Sequence, residues 1–151
     1  MGSKADVEWI APAERTLKEF GVKYELRIAS AHKTPKKLLE IIEENEGSGE
    51  EIVYITVAGR SNALSGLVDA NTGYPVIACP PYSEKFGGMD ILSSLRMPSG
   101  VAPMVVLDPE AAALAAVKIL AIGDRSLAKK IKDYHSRLVE KLEREDREIR
   151  R

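Results

Sequence analysis

Cysteine is nearly absent from this 151-residue chain: Cys79 stands alone, so no intramolecular disulfide can form, and no Cys/His spacing resembles a zinc site. A reducing cytoplasm is the expected location. Aromatics make up only 5%, and Trp9 with a few tyrosines is a poor set for sandwiching a flavin. Neither sign of charge dominates: 22 Lys+Arg against 23 Asp+Glu gives a net charge of −1, without the basic surplus that nucleic acid or an anionic membrane surface demands. The longest apolar-rich stretch, 111–122, is broken by Lys118 and falls short of the ~18 residues needed to cross a bilayer. No apolar leader core follows Lys4, so secretion is not implied. Function must therefore be read from local motifs.

What is present suits one enzyme-sized domain. A 44% hydrophobic composition fills a core, and a chain of this size buries roughly 68–70% of its unfolded surface. Trp9, Ile10, Ala13, Leu17 and Phe20 recur at helical spacing, with Gly21 placed as a left-handed C-cap. Residues 23–30 alternate Tyr24, Leu26 and Ile28 against Glu25, Arg27 and Ala29, the pattern of an outer strand. Thr34-Pro35 opens a second helix that ends at Gly47-Ser48-Gly49. Residues 52–58, nearly all apolar and β-branched, predict a central parallel strand covered on both faces.

Further on, a short helix after Asn62, brief strands at 76–79 and 103–107, and a helix at 89–96 continue the alternation. Asp108-Pro109-Glu110 starts a helix ending at Gly123. Strands alternating with helices predict a doubly wound parallel α/β sheet over 1–125. Residues 126–151 form a second unit, a long amphipathic helix whose stripe (Leu127, Ile131, Tyr134, Leu138, Leu142, Ile149) outruns one small core. Such a stripe serves either as the inner edge of a solvated helix or as a docking face for another subunit, and the second reading is favoured.

Ligands of open α/β sheets bind beyond the carboxyl ends of the strands, among helix N-termini. Three predicted loops there gather small, polar and basic residues: Gly2-Ser3-Lys4-Ala5-Asp6, Ser30-Ala31-His32-Lys33-Thr34 and Gly59-Arg60-Ser61-Asn62. Each alone is explicable as turn and cap chemistry. A phosphorylated ligand suits all three. His32, at a strand-to-helix junction, is either a cap or a general acid/base able to exchange a proton near neutrality. Cys79 has no base or cation beside it in sequence and reads as a small hydrophobe.

These three motifs, together with Ser94-Leu95-Arg96-Met97-Pro98-Ser99-Gly100, resemble the phosphoribosylaminoimidazole carboxylase family of purine biosynthesis over nearly the whole chain. The resemblance is to the second of its two classes, which uses CO2 directly: Lys33 follows the histidine, Arg60-Ser61-Asn62 replaces a Gly-Ala-Ala-His loop, and Leu95-Arg96 precedes Met97-Pro98. It implies a flavodoxin-like three-layer sandwich, a cytoplasmic homo-octamer, and reversible carboxylation of 5-aminoimidazole ribonucleotide without metal or cofactor. His32 is implied as the proton carrier. Ser30 and Lys33 would hold phosphate, Asp6 the ribose hydroxyls, and Ser3 would touch the substrate. Gly59, Ser61 and Asn62 would line the base and CO2 pocket, with Arg60 either lining it or tying loops together. Ser94 and 97–100 would close it. The alternatives are the first-class mutase, acting on carboxyaminoimidazole ribonucleotide, and a non-catalytic nucleotide-binding homologue.

Two features depart from the family pattern. Ala5 stands where many relatives carry a second serine that contacts phosphate. The chain also starts at the Gly-Ser motif, whereas a doubly wound sheet places a central strand just ahead of that loop, between 23–30 and 52–58. The expectation is therefore a sheet missing its first central strand, with Met1 an internal residue of a longer protein and the given form less stable and inactive.

Overall fold

The computed structural model describes residues 1–150, so Arg151, the last residue of the expected C-terminal unit, lies outside the described residues. Helices α1 (Asp6–Phe20) and α2 (Pro35–Glu46) precede strand β1 (Tyr54–Thr56), helix α3 (Ala63–Asp69) and strand β2 (Val76–Ala78). A 3-10 segment, Lys85–Ile91, runs into the short helix α4 (Leu92–Leu95), followed by strand β3 (Met104–Val105), α5 (Pro109–Leu120) and α6 (Arg125–Ile149). The strands are parallel in the order β1-β2-β3, with Ile55 opposite Ile77 and Ala78 opposite Val105.

Helices cover both faces of this sheet. On one face α1, α5 and α6 bring Ile10, Leu17, Phe20, Val117 and Leu127 onto Val57; on the other, α2 and α3 bring Leu38, Ile41, Ile42, Leu64 and Val68 onto Val76. The result is the flavodoxin-like three-layer α/β sandwich expected from the motifs. Its helix ends carry the expected caps. Gly21, at φ +72°, closes α1 in the left-handed region that a Cβ disfavours, and Asp108 accepts from the Ala111 N–H at 2.9 Å. Thr34 differs: its side chain makes no cap bond to α2, and its hydroxyl accepts from the Ser30 N–H at 2.9 Å instead.

Residues 23–30 run extended but form no ladder, a departure from the outer strand expected there. The reason is geometric. Tyr54 N–H donates to the Pro75 carbonyl and the Thr56 carbonyl accepts from Cys79 N–H, so residues 54 and 56 serve β2 and the odd-numbered 53, 55 and 57 turn to the opposite edge. Across that edge lies a cavity of about 410 Å³, lined by Tyr24 and Leu26 on one wall and Val53 and Ile55 on the other. Met1 and Gly2 alone bridge it at one end. Gly2 N–H donates to the Val57 carbonyl at 2.9 Å, Ala29 N–H donates to the Met1 carbonyl at 3.0 Å, and the Met1 amine donates to the Arg27 carbonyl at 3.0 Å. Such a bridge has the width and hydrogen bonding of a strand lying between 23–30 and β1, limited to two residues.

The near half of α6 belongs to the domain's own core: Leu127 is buried, and Ile131 and Tyr134 pack beside it. Lys130 Nζ donates to the Phe20 carbonyl at 2.6 Å, and Arg137 pairs with Glu19 at 3.0 Å. Beyond that point Leu138, Val139, Leu142 and Ile149 are exposed. No helix among the described residues is long and apolar enough to cross a membrane.

Candidate active site

The two-residue bridge determines where the polar loops meet. Because Met1 and Gly2 are bonded to Ala29 on one side and Val57 on the other, the loops that follow all three positions leave the sheet side by side at its carboxyl end. Those are the three loops singled out in the sequence.

In the first, Asp6 Oδ2 accepts from both the backbone N–H and the hydroxyl of Ser3, at 2.8 and 3.2 Å, which fixes the turn into α1. One carboxylate oxygen is thereby engaged by the chain itself, leaving the other to meet a ligand hydroxyl. In the second, Ser30 and Thr34 close a compact turn: Ser30 Oγ accepts from the Lys33 N–H at 3.2 Å, and Thr34 N–H donates to the Ser30 carbonyl at 2.9 Å. His32 and Lys33 project from this turn as exposed residues, and no side chain among the described residues hydrogen-bonds the imidazole. A ring left unengaged, next to a cation at a helix start, is available to a ligand.

The third loop is held hardest. Arg60 adopts a left-handed backbone at φ +60°, a conformation costing a non-glycine residue roughly 1–2 kcal/mol. Asn62 is buried, 3% exposed, and its side chain is engaged by the protein. Its Oδ1 accepts from the Ser65 N–H, capping α3, and lies 3.0 Å from the Ser65 hydroxyl, while its Nδ2 donates to Ser94 Oγ at 3.0 Å. The Ser65 and Thr56 hydroxyls, 2.8 Å apart, and the Ile77 carbonyl extend this cluster, two hydroxyl protons being shared among three contacts. Asn62 therefore stands behind the loop, while Ser61 is exposed at its front.

A second cavity, of about 210 Å³, opens at this same end among Gly59, Arg60, Pro81, Tyr82, Asp90 and Ser94. It is half the size of the slot and borders the third loop, whereas the slot runs along the strands instead of beyond their ends. Cys79 is fully buried beneath. Burial pushes its thiol up to about 11, so it is a packed hydrophobe and not a nucleophile.

Asp90, Ser93 and Ser65 were not singled out in the sequence. Asp90 Oδ2 accepts from the Arg60 N–H, and Ser93 Oγ contacts the Arg60 and Asn62 backbones. Separations of about 30 residues carry no periodic signal, and a Ser-Ser pair in a short helix looks like any solvated turn.

Comparison with known proteins identifies the family. The family model "AIR carboxylase" matches residues 1–141. Phosphoribosylaminoimidazole carboxylase of Archaeoglobus fulgidus is 55% identical over 150 residues, covering 99% of this chain and 82% of that protein. The crystal structure of Treponema denticola PurE superimposes with a TM-score of 0.97 at 44% identity, over 100% of this chain and 96% of that one. The bifunctional phosphoribosylaminoimidazole carboxylase/phosphoribosylaminoimidazole succinocarboxamide synthetase of Rattus norvegicus is 38% identical over 99% of this chain, which spans 35% of that longer protein. With both sequence and fold matched over nearly the full length, the chain belongs to the AIR carboxylase family.

Proposed function

We propose that the protein carboxylates 5-aminoimidazole ribonucleotide with CO2 directly and reversibly, giving 4-carboxy-5-aminoimidazole ribonucleotide. The observation carrying this reading is the convergence of the three polar loops at the carboxyl end of the sheet, pinned together through Met1 and Gly2. Direct use of CO2, as against mutase chemistry on the carbamate, is supported by Lys33 after His32 and by Arg60-Ser61-Asn62.

The substrate is an enamine. Its exocyclic amine pushes electron density onto the neighbouring ring carbon, which attacks CO2 as the C–C bond forms. The ring carbon is then tetrahedral and still bears hydrogen. His32, neutral, takes that proton and the ring regains aromaticity; the reverse sequence decarboxylates the product. Positioning and charge stabilisation are the protein's remaining tasks. Ser30 and Lys33 hold the phosphate, Asp6 accepts from the ribose, and Ser3 touches the nucleotide from the first turn. Gly59 and Ser61 line the base and CO2 pocket, with Asn62 fixing their loop from behind. Ala5 supplies no phosphate donor, so phosphate affinity rests on the second loop.

The working form we propose is a cytoplasmic homo-oligomer, an octamer as the family resemblance implies, with the exposed far half of α6 docked on another subunit. The chemistry is tested by absorbance, following purified protein with 5-aminoimidazole ribonucleotide and bicarbonate, then with carboxyaminoimidazole ribonucleotide depleted of CO2. Product formation that requires CO2 is expected. Efficient turnover of the carbamate without CO2 would make the protein a mutase, and no turnover of either would leave a nucleotide-binding homologue.

A further inference from the structure

We propose that Asp90 and Ser93 are positioning residues for the carboxylation, holding the loop Gly59–Asn62 with Arg60 in its left-handed form. The inference rests on the carboxylase reading of the site and adds two residues to it. Asp90 Oδ2 accepts from the Arg60 N–H at 3.2 Å. Ser93 Oγ accepts from the Asn62 N–H at 3.0 Å and lies 2.8 Å from the carbonyl oxygens of both Arg60 and Asp90. A hydroxyl has one proton and two lone pairs, so Ser93 accepts from Asn62 while donating to one of the two carbonyls. Ser94, on the same short helix, takes the Asn62 side chain. The backbone on both sides of Ser61 is thus tied to one segment some thirty residues away in the chain.

That segment adds little to the core. Its large apolar residues, Leu92 and Leu95, are 58% and 57% exposed, and the side chains it turns inward are the polar ones. A helix of four residues that leaves its leucines in water and directs its serines at a loop backbone is arranged to hold that loop. The strain at Arg60 says what the hold is for. Left to itself, a non-glycine residue leaves φ +60° for the right-handed or extended region, which would turn Ser61 and Gly59 away from the positions they present to the pocket.

Four variants test this: Ser93→Ala and Asp90→Ala, which remove the bonds, and Ser93→Thr and Asp90→Asn, which keep a hydroxyl and an acceptor oxygen. Thermal unfolding checks that each folds. Ser93→Ala is expected to lower kcat by about a hundredfold, the effect of misplacing a reacting group by an ångström, and to raise KM for CO2. Its dissociation constant for the nucleotide, held by the separate 30–33 loop, should stay close to that of the unaltered protein. Asp90→Asn should recover most of what Asp90→Ala loses. Folded alanine variants with unaltered kcat and KM would overturn the proposal, as would a loss in Asp90→Ala that Asp90→Asn fails to restore. Amide hydrogen exchange separates this outcome from failure of the functional reading. An unaltered protein that never carboxylates refutes the reaction, while the clamp is still decided by two amides: if it holds, both are protected in the unaltered chain, that of Asn62 being released in Ser93→Ala and that of Arg60 in Asp90→Ala, and if it does not, both are unprotected throughout.

Discussion

Along one edge, β1 is laddered to β2 in register from Tyr54 to Thr56, and the residues it meets there, Val76, Ile77 and Ala78, are wholly buried. Along its other edge, Val53 and Ile55 face a cavity of about 410 Å³ across from Tyr24 and Leu26. Leu26 and Ile28, on the segment beyond, are 41% and 39% exposed. Both edges are written in the same apolar, β-branched residues, and composition does not distinguish them. What differs is whether a neighbouring strand supplies hydrogen bonds. At the carboxyl end the difference disappears, because two residues, Met1 and Gly2, make a strand's bonds to Ala29 and Val57. The three polar loops therefore leave the sheet side by side at that end, although the edge is open further back.

The comparison is broken most severely at the ligand end. His32→Asn should cost about 10²–10⁴-fold in turnover, the usual worth of a general acid/base, with nucleotide binding and thermal unfolding little changed. Near-normal turnover would mean that the bridge does not hold the 30–34 loop in place, or that another group moves the proton.

A pair of core truncations sharpens the contrast between the two edges. Ile77→Ala, at a fully buried position between two strands, should destabilise by about 2–5 kcal/mol. Ile55→Ala, only partly buried beside the slot, should cost less than half as much. Equal losses in urea titrations would show the two edges to be equally packed.

The smallest effect comes from filling the open edge of β1. Fusing an apolar strand of about five residues ahead of Met1 should raise the unfolding temperature by at least about 5 °C, since 1 kcal/mol is worth about 2–4 °C at this chain length. The fusion should also abolish a pH slope. Burial lowers the Met1 amine below its ordinary 8.0, an effect partly opposed by Asp6. The unfolded chain consequently holds more protons than the folded one between the lowered value and 8.0, and stability rises with pH across that window. The fused form carries no amine there. A slope that survives fusion, or an unchanged unfolding temperature, would show that the slot does not accept a strand.

The alternation of elements, the helix ends at Gly21, Asp108 and Asn62, and the loops carrying His32, Asp6 and Ser61 were all legible in the sequence. Each is fixed by local physics: a periodic apolar face, a capping side chain, or small and polar residues at a strand end. Residues 23–30 were legible as extended but not as unpaired, because pleat and alternation belong to the segment while pairing belongs to its neighbour. Residues 52–58 read as a central strand covered on both faces; helices do cover both faces, but β1 stands at the end of the ladder and one of its edges is open.

Asn62 carries the same lesson into the site. Its position in a polar loop marked it as a pocket residue, and its burial against Ser65 and Ser94 places it behind the pocket. The sequence by itself determined which residues make helices and where small, polar and basic loops fall between the elements, since those depend on neighbours a few positions away. Tertiary structure alone decided which edge of β1 is satisfied, which half of α6 is buried, and that Asp90 and Ser93 hold Arg60, because each needs partners brought from far along the chain and hydrogen bonds that only a completed fold can align.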